Sequence, residues 1–571
     1  MSKKILIKNG TVYDPINSVN GEKMDIFIKE GRIVENFNGD ADIIYDADGK
    51  IVMPGGIDVH THIVGANETN ARYFRPEDNR RSVSPATEIL RAESGRCVPN
   101  TFATGYRYTK MGYTFLYQPG SPPIKARETQ DEMNDVPYVD KTALVLMDKN
   151  WFLLRHFIDK DYELAAEYMA WLLWTTKGSG VKVVNPGGTE AWGWGKNVKS
   201  LDDPVPHFGI SSREIILGLA RTNELLDLPH PIHLHLNNLG IPGNYEIAIK
   251  TMELLEEISK SSEVARPQVS HITHMQYNSY GGENWKTFQS ETEPICKYVN
   301  AHDHITIDSG SIVFGDATTL TADGPVEYGL SRMSGLKWTN ADNELETGAG
   351  VTPFIYERKS LVHSIQWAIG LELYLLITDP WKIMMSTDHP NGGLFVDYPK
   401  ISAWLMSKKY RDQQMNECHK ALADRCVLSS IDREYDLYEI AIITRSACAQ
   451  TFGFKDKGHL GPGAEADIAV YNLSPQLDYA NNPEKIEIGF SSAALTMKSG
   501  QIILKDGKII EPDQNIGKNY WVKAKFNQKD VESRIEEFFQ RYYSIKMSNY
   551  PVGLDYVRNP IELIGPHQPA M

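Results

Sequence analysis

Met53-Pro54-Gly55-Gly56-Ile57-Asp58-Val59-His60-Thr61-His62 reads as a short apolar strand ending in two histidines. On a strand, residues two apart share a face, so Asp58, His60 and His62 point the same way. A parallel barrel strand that ended like this would present two imidazoles at its C-terminal mouth, where barrel enzymes keep their chemistry. One His-x-His pair is weak evidence, because two half-buried strand histidines are common. The rest of the chain decides its meaning.

Outward from this stretch, strand-like and helix-like segments alternate as far as about residue 453. Strand candidates are residues 56–62, 114–118, 143–147, 181–185, 231–236, 268–274, 305–308 and 383–388, each apolar and bounded by turn residues. Helical periodicity fills several gaps, over 161–176, 212–226, 245–261 and 284–301. Eight strands with crossovers predict an α/β fold of the (β/α)₈ TIM-barrel type. Residues 309–358, rich in Gly, Thr and Asp, read as a long functional loop such as a lid. The first fifty residues and a stretch near the end both show short alternating strands with Gly, Asn and Asp turns. Neither set is large enough to stand alone, so the two are expected to pair into one small β-sandwich built from both chain ends. The predicted organisation is residues 1–54 plus 455–525 as this composite domain, 55–454 as the barrel, and 526–571 as a C-terminal helix (530–543) and tail, read as a surface appendage.

Four further strand ends carry metal-type residues. Lys182 sits in the apolar run Val181–Asn185, and His233 and His235 form a second His-x-His. His271 and His274 follow on the next strand, and Asp388 closes the last. Singly, each is as well explained by core packing or solvation; together they place a potential ligand on five strand ends of one barrel. Neutral imidazoles suit Zn²⁺ and similar ions. A lysine carboxylated by CO₂ becomes an anion able to bridge two of them, and burial favours the neutral amine that this reaction needs. A carboxylate such as Asp388 can both ligate and carry a proton. On spacing alone, the choices between His233 and His235, and between His271 and His274, stay open.

Composition narrows the partners. The 571 residues carry 59 Lys+Arg against 74 Asp+Glu, a net charge of −15, which disfavours nucleic acid or an anionic membrane as partner. The five cysteines are scattered and form no Cys-x-x-Cys, which argues against a disulfide framework or an iron–sulfur site. The start has no signal-peptide character, and no apolar run reaches the ~18 residues of a membrane span, so a cytoplasmic protein is expected.

These motifs resemble the amidohydrolase (urease-like) superfamily and, within it, the family of formylmethanofuran dehydrogenase A subunits. The resembling segments run along nearly the whole chain. They are PGGIDVHTH, FRPEDNRR (Phe74–Arg81), TGYRYTKMGYT, VKVVNPGG, HLHLNNLG, SHITHMQYNSYGG, FGDATTLTADGP and STDHPNGG. The resemblance implies two divalent metal ions, Zn²⁺ as first choice. It implies His60 and His62 on one metal, Lys182 as a bridging N6-carboxylysine, His235 and His271 as the strand-five and strand-six ligands, and Asp388 as ligand and catalytic carboxylate. It also implies a reaction of archaeal CO₂ reduction and methanogenesis. Formate made at a tungsten or molybdenum pterin on another subunit, fed by iron–sulfur subunits, would be condensed with the amine of methanofuran. Such a substrate has an acidic tail, for which Arg72, Arg75, Arg80 and Arg81 are the expected contacts, with Asn237 in the polar turn after His235. Trp192, Trp194, Tyr106 and Tyr108 are further pocket candidates. The competing readings are a hydrolase of the same formyl compound, a cyclic-amide hydrolase of the dihydropyrimidinase or hydantoinase type, and a metal-free scaffold on the same fold.

Overall fold

A computed structural model describes residues 3–80, 82–343, 347–514, 516–542, 546–564 and 568–569. Its centre is a parallel barrel of β1 (Gly56–Asp58), β2 (Tyr113–Ser121), β3 (Asp140–Leu146), β4 (Gly180–Val184), β5 (Ile232–His235), β6 (Ser270–Ile272), β7 (Ile305–Asp308) and β8 (Ile383–Met384). Each strand pairs in parallel with the next from β1 to β8. A parallel bridge between Thr61 and His389, with His62 N–H donating to His389 O at 2.8 Å, closes β8 onto β1. All eight expected strands are present. Strands β3 to β8 are buried along their whole length, which is why they read as continuous apolar runs.

Helices wrap the outside, and local chemistry sets their starts. Asp161 caps Tyr162–Thr176 by accepting from Leu164 N–H. Ser211 and Glu214 form a reciprocal capping box at Ser212–Leu225. Two helices are shorter than their periodicity suggests. One stops at Leu255, and the other begins only at Thr292, because residues 284–291 form turns and a short strand.

The segment after β7 is not an open loop. It folds into an antiparallel sheet of Gly315–Thr321, Thr347–Tyr356 and Thr339–Asn343, with the helix Gly324–Ser334 packed on it. This small lid stands over the C-terminal mouth of the barrel.

The chain ends meet in a nine-stranded sheet. The joint is Ile51–Pro54 against Ile468–Tyr471, antiparallel. The first strand, Lys4–Asp14, forks at its middle: its first half pairs with Ile43–Asp46 and its second with Ile51–Pro54. At the fork Gly10 faces Val52, where a Cβ would sit 2.5 Å from Val52 Cγ2. This sheet carries its own core of Ile5, Ile7, Ile26, Ile28, Ile468 and Met497 with their neighbours. Asn519–Lys523 does not join it; this strand runs parallel to β3 at the edge of the barrel sheet. The C-terminal residues continue from there and are not an appendage. Pro560–Ile564 pairs with Asn519–Lys523, and the helix Gln528–Tyr542 buries Val531, Ile535 and Phe539 against the barrel helices.

Candidate active site

Register explains why two histidine pairs arise. Lys182 lies beside His233, His233 beside His271, and His271 beside Thr306. Paired residues of parallel strands point to one side, so these form a layer inside the barrel. Val184 and His235 are paired one layer nearer the mouth. Both histidines of β5 therefore face inward, and only depth separates them.

The upper layer opens into a small cavity lined by His60, His62, Lys182, His235, His274 and Asp388, with Gly120, Ala322 and Asn391 in its wall. Asp388 Oδ1 lies 2.9 Å from His60 Nε2 and 3.3 Å from His62 Nε2. Ligand-type atoms of His60, His274 and Asp388 all fall within 4.8 Å of one another. Lys182 Nζ and His274 Nδ1 are buried with no hydrogen-bond partner among the described residues. Buried polar atoms without partners are costly, so a convergent set of this kind is what a cation site requires. His274 and Asp388 both hold left-handed backbone, at φ +37° and +50°, a strain that clusters at functional sites.

The histidines are oriented from behind by carboxylates. Glu68 Oε1 lies 3.2 Å from His62 Nδ1, and Asp323 Oδ2 lies 3.2 Å from His235 Nε2. In each ring one nitrogen is held this way, the arrangement that fixes tautomer and aim in metal sites. Burial penalises charge throughout. It pulls the Lys182 ammonium down to about 8 and lowers His235 and His274. His62 is the exception: burial works against its charge, but hydrogen bonds to Asp388 and Glu68 overcome it and raise the imidazole to about 9. Burial likewise opposes the Asp388 carboxylate, yet the charges of His60 and His274 hold it well below the usual carboxylate range.

His271 does not join this set. It lies in the deeper layer, bonded to Thr306 Oγ1 at 3.0 Å and Asp308 Oδ2 at 3.1 Å. His233 is also deep, with Nε2 3.1 Å from His60 Nδ1. The strand-six residue at the cavity is His274, three positions on, where the chain turns into the short helix Met275–Asn278. Asp308, at the end of β7, was not anticipated. It accepts from His274 N–H at 2.8 Å and lies 3.5 Å from His60 Nδ1, so it ties both layers together. Its signal in the sequence was a carboxylate ending an apolar strand, Ile305-Thr306-Ile307-Asp308.

Of the expected substrate contacts, Arg72, Arg75, Arg80 and Asn237 are not among the residues that line this cavity. Arg72 is spent on Glu132 at 3.0 Å and on the carbonyls of Ile63 and Pro99. Arg75 is buried against Ala317 O, Thr318 Oγ1 and Asp316 of the lid. Arg80 is exposed and away from the cavity walls, and Arg81 lies outside the described residues. Of the nearby acids, Glu68 lies against His62, Asp78 accepts from the amides of Arg96, Cys97 and Val98, and Glu77 pairs with Lys337. Asn237 is buried in a network, accepting from Ser212 Oγ at 2.7 Å and donating to Asn185 Oδ1 and Pro186 O. Trp192, Trp194, Tyr106 and Tyr108 line neither cavity.

A second cavity of about 340 Å³ adjoins the first and shares His235, His274, Asp388 and Asn391 with it. Its remaining wall is largely apolar and aromatic, with Leu239, Tyr277, Trp285, Val326, Leu330 and Phe354 among its residues. The lid helix and lid sheet supply one side of it. Fold and site together define a parallel barrel whose candidate ligand residues gather at strand ends beside an apolar pocket.

The chain belongs to the amidohydrolase family, whose sequence profile matches residues 44–504. It is 48% identical to protein FwdA of Methanocaldococcus jannaschii over 560 residues, 97% of each chain. It is 33% identical to the A component of the formyltransferase/hydrolase complex Fhc of Methylorubrum extorquens, over 96% of each. The crystal structure of that complex, FhcABCD with methylofuran, contains a chain that superposes with a TM-score of 0.89 at 31% identity, covering 98% of this chain and 100% of that one. The chain is thus an amidohydrolase-type enzyme of the group that contains FwdA and the A component of Fhc.

Proposed function

We propose that this chain is the subunit of a formylmethanofuran dehydrogenase that joins formate to the primary amine of methanofuran, and that the same site hydrolyses the product. The observation that carries this reading is the convergence of His60, His62, Lys182, His235, His274 and Asp388 on one buried cavity beside an apolar pocket. Full-length similarity to FwdA and to one chain of a complex solved with methylofuran supports the substrate class.

The residues fit two divalent cations, with Zn²⁺ the first choice for a donor set rich in imidazole. His60, His62, His235, His274 and Asp388 would hold them. Lys182, carboxylated to N6-carboxylysine, would join both; its burial favours the neutral amine that takes up CO₂. The cations, when bound, supply Lewis-acid polarisation of the formyl oxygen.

The chain's own residues do the rest. Asp388, held ionised, is placed to accept a proton. In synthesis it takes one from the ammonium and the amine nitrogen attacks the formate carbon; one C–O bond then breaks, and that oxygen leaves as water with the proton returned by Asp388 and a second proton lost from the nitrogen. In hydrolysis the C–N bond breaks, and Asp388 returns the proton of the attacking water to the amine. The apolar pocket excludes bulk water, which favours amide over separated ions. Formate would come from partner subunits carrying a tungsten or molybdenum pterin and iron–sulfur clusters.

The test is hydrolysis of N-formylfurfurylamine by the zinc-loaded protein. Turnover that falls by at least ~10²-fold in Asp388→Asn supports the reading. Activity on dihydrouracil or hydantoin with none on the formamide would replace it with a cyclic-amide hydrolase.

A further inference from the structure

Two tyrosine hydroxyls stand in series at the wall of the larger cavity. Tyr277 follows β6 on the short helix that starts after His274, and Tyr356 ends the lid strand Thr347–Tyr356. Both line the cavity that also contains Asp388, and both are buried. Tyr356 Oη lies 3.0 Å from the backbone carbonyl oxygen of Asn391, in the turn after Asp388. Tyr277 Oη lies 3.3 Å from Tyr356 Oη.

The direction of this chain follows from what each atom can do. A carbonyl oxygen only accepts, so the single phenolic proton of Tyr356 is committed to Asn391. The contact between the two tyrosines must then use the proton of Tyr277, with Tyr356 Oη accepting. Tyr277 has no proton left to give. Among the described residues nothing else is bonded to its oxygen, which keeps its capacity to accept.

We propose that Tyr277 is a specificity-determining residue that accepts a hydrogen bond from the N–H of the substrate, with Tyr356 and Asn391 fixing its proton away from the cavity. A locked acceptor selects a substrate nitrogen that bears a hydrogen: a primary amine in synthesis, a secondary formamide in hydrolysis. It cannot serve the formyl oxygen, which needs donors. An N-alkylated formamide would face Tyr277 Oη with no proton and leave that oxygen unpaired, and buried sites discriminate strongly on this ground. The inference rests on the formamide reading above.

The experiment compares kcat/KM for N-formylfurfurylamine and its N-methyl derivative, using the full-length zinc-loaded protein. Wild type is expected to favour the N–H compound by roughly 10²-fold or more. Tyr277→Phe should shrink that ratio at least ~10-fold, since the acceptor is gone. Tyr356→Phe should shrink it as well, although Tyr277 stays in place, because the released proton lets Tyr277 donate. General loosening of the pocket would slow both substrates and leave the ratio unchanged. A wild-type protein that uses both compounds equally, or a Tyr277→Phe ratio equal to wild type, overturns the inference and leaves the formamide reading intact. A wild type active on neither compound overturns both.

Discussion

His271 and His274 differ by three positions and by what their rings touch. His271 spends both nitrogens on Thr306 and Asp308, whereas His274 Nδ1 is buried with no hydrogen-bond partner among the described residues. His274→Ala is therefore expected to lose bound metal, measured by elemental analysis of purified protein. His271→Ala should retain it and instead lower stability by about 1–3 kcal/mol, the cost of leaving Asp308 short of a donor. The opposite pattern would restore His271 as a ligand. The sequence offers a histidine pair near the end of β5 and of β6 but does not tell depth: His233 and His235 are two apart and face the same way, and His274 lies beyond the end of β6. The position of His274 depends on a left-handed turn after β6 that no local pattern announces. His60, His62, Lys182 and Asp388, which line one cavity, each end or interrupt an apolar run in the sequence. Spacing shows charge and polarity but not partners: Arg72, Arg75 and Asn237 are each bonded within the protein.

At the scale of elements, the lid was visible only as a long polar stretch. Its strands alternate Thr, Gly and Asp with few large apolar residues, so no period announces them; tertiary pairing forms them. Arg75 is the pin, reaching from the segment after β1 to Ala317, Thr318 and Asp316 on the lid's first strand. Arg75→Met should leave these acceptors unpaired and loosen the lid by about 1–3 kcal/mol. Limited proteolysis should then cut within residues 315–356 sooner than in wild type, with bound metal unchanged. Equal protection would mean that the lid is held by its apolar contacts alone. The eight barrel strands, by contrast, could be read directly, because burial on both faces writes them as unbroken apolar runs.

Across the whole molecule, barrel and terminal sheet are locked by buried charge. Lys457 Nζ contacts Asp140 at 2.8 Å, Glu465 at 2.6 Å and Asp467 at 3.2 Å. Lys498 Nζ reaches Asp140 and Asp467, both at 2.9 Å. Asp140 starts β3, whereas Glu465 and Asp467 lead into the terminal sheet, so the cluster spans the junction. The same three acids could be mistaken for a cation site, but the lysines already occupy it. Lys498→Met should destabilise the protein by about 3–5 kcal/mol in chemical unfolding, since three buried carboxylates would share one fewer cation. Burial alone would raise Asp140 and Glu465, but Lys457 and Lys498 hold both below their ordinary values. Their contribution is full above the unfolded carboxylate value of about 4 and is lost as pH falls through the lower folded values. For both lysines burial opposes the charge, but Asp140 and the other carboxylates raise it, so their share is full below about 10.4 and fades as pH rises further. The share of stability owed to this cluster is therefore flat from about pH 5 to 10, and the difference in stability between wild type and Lys498→Met is expected to be constant there and to shrink below about pH 5.

The central claim is a two-metal centre bridged by Lys182, and anomalous diffraction from crystals of the zinc-loaded protein tests it most directly. Two adjacent peaks are expected among His60, His62, His235, His274 and Asp388, with extra density on Lys182 Nζ and both peaks lost in Lys182→Ala. Peaks in the deeper layer of His233, His271 and Asp308, or full occupancy in Lys182→Ala, would contradict it.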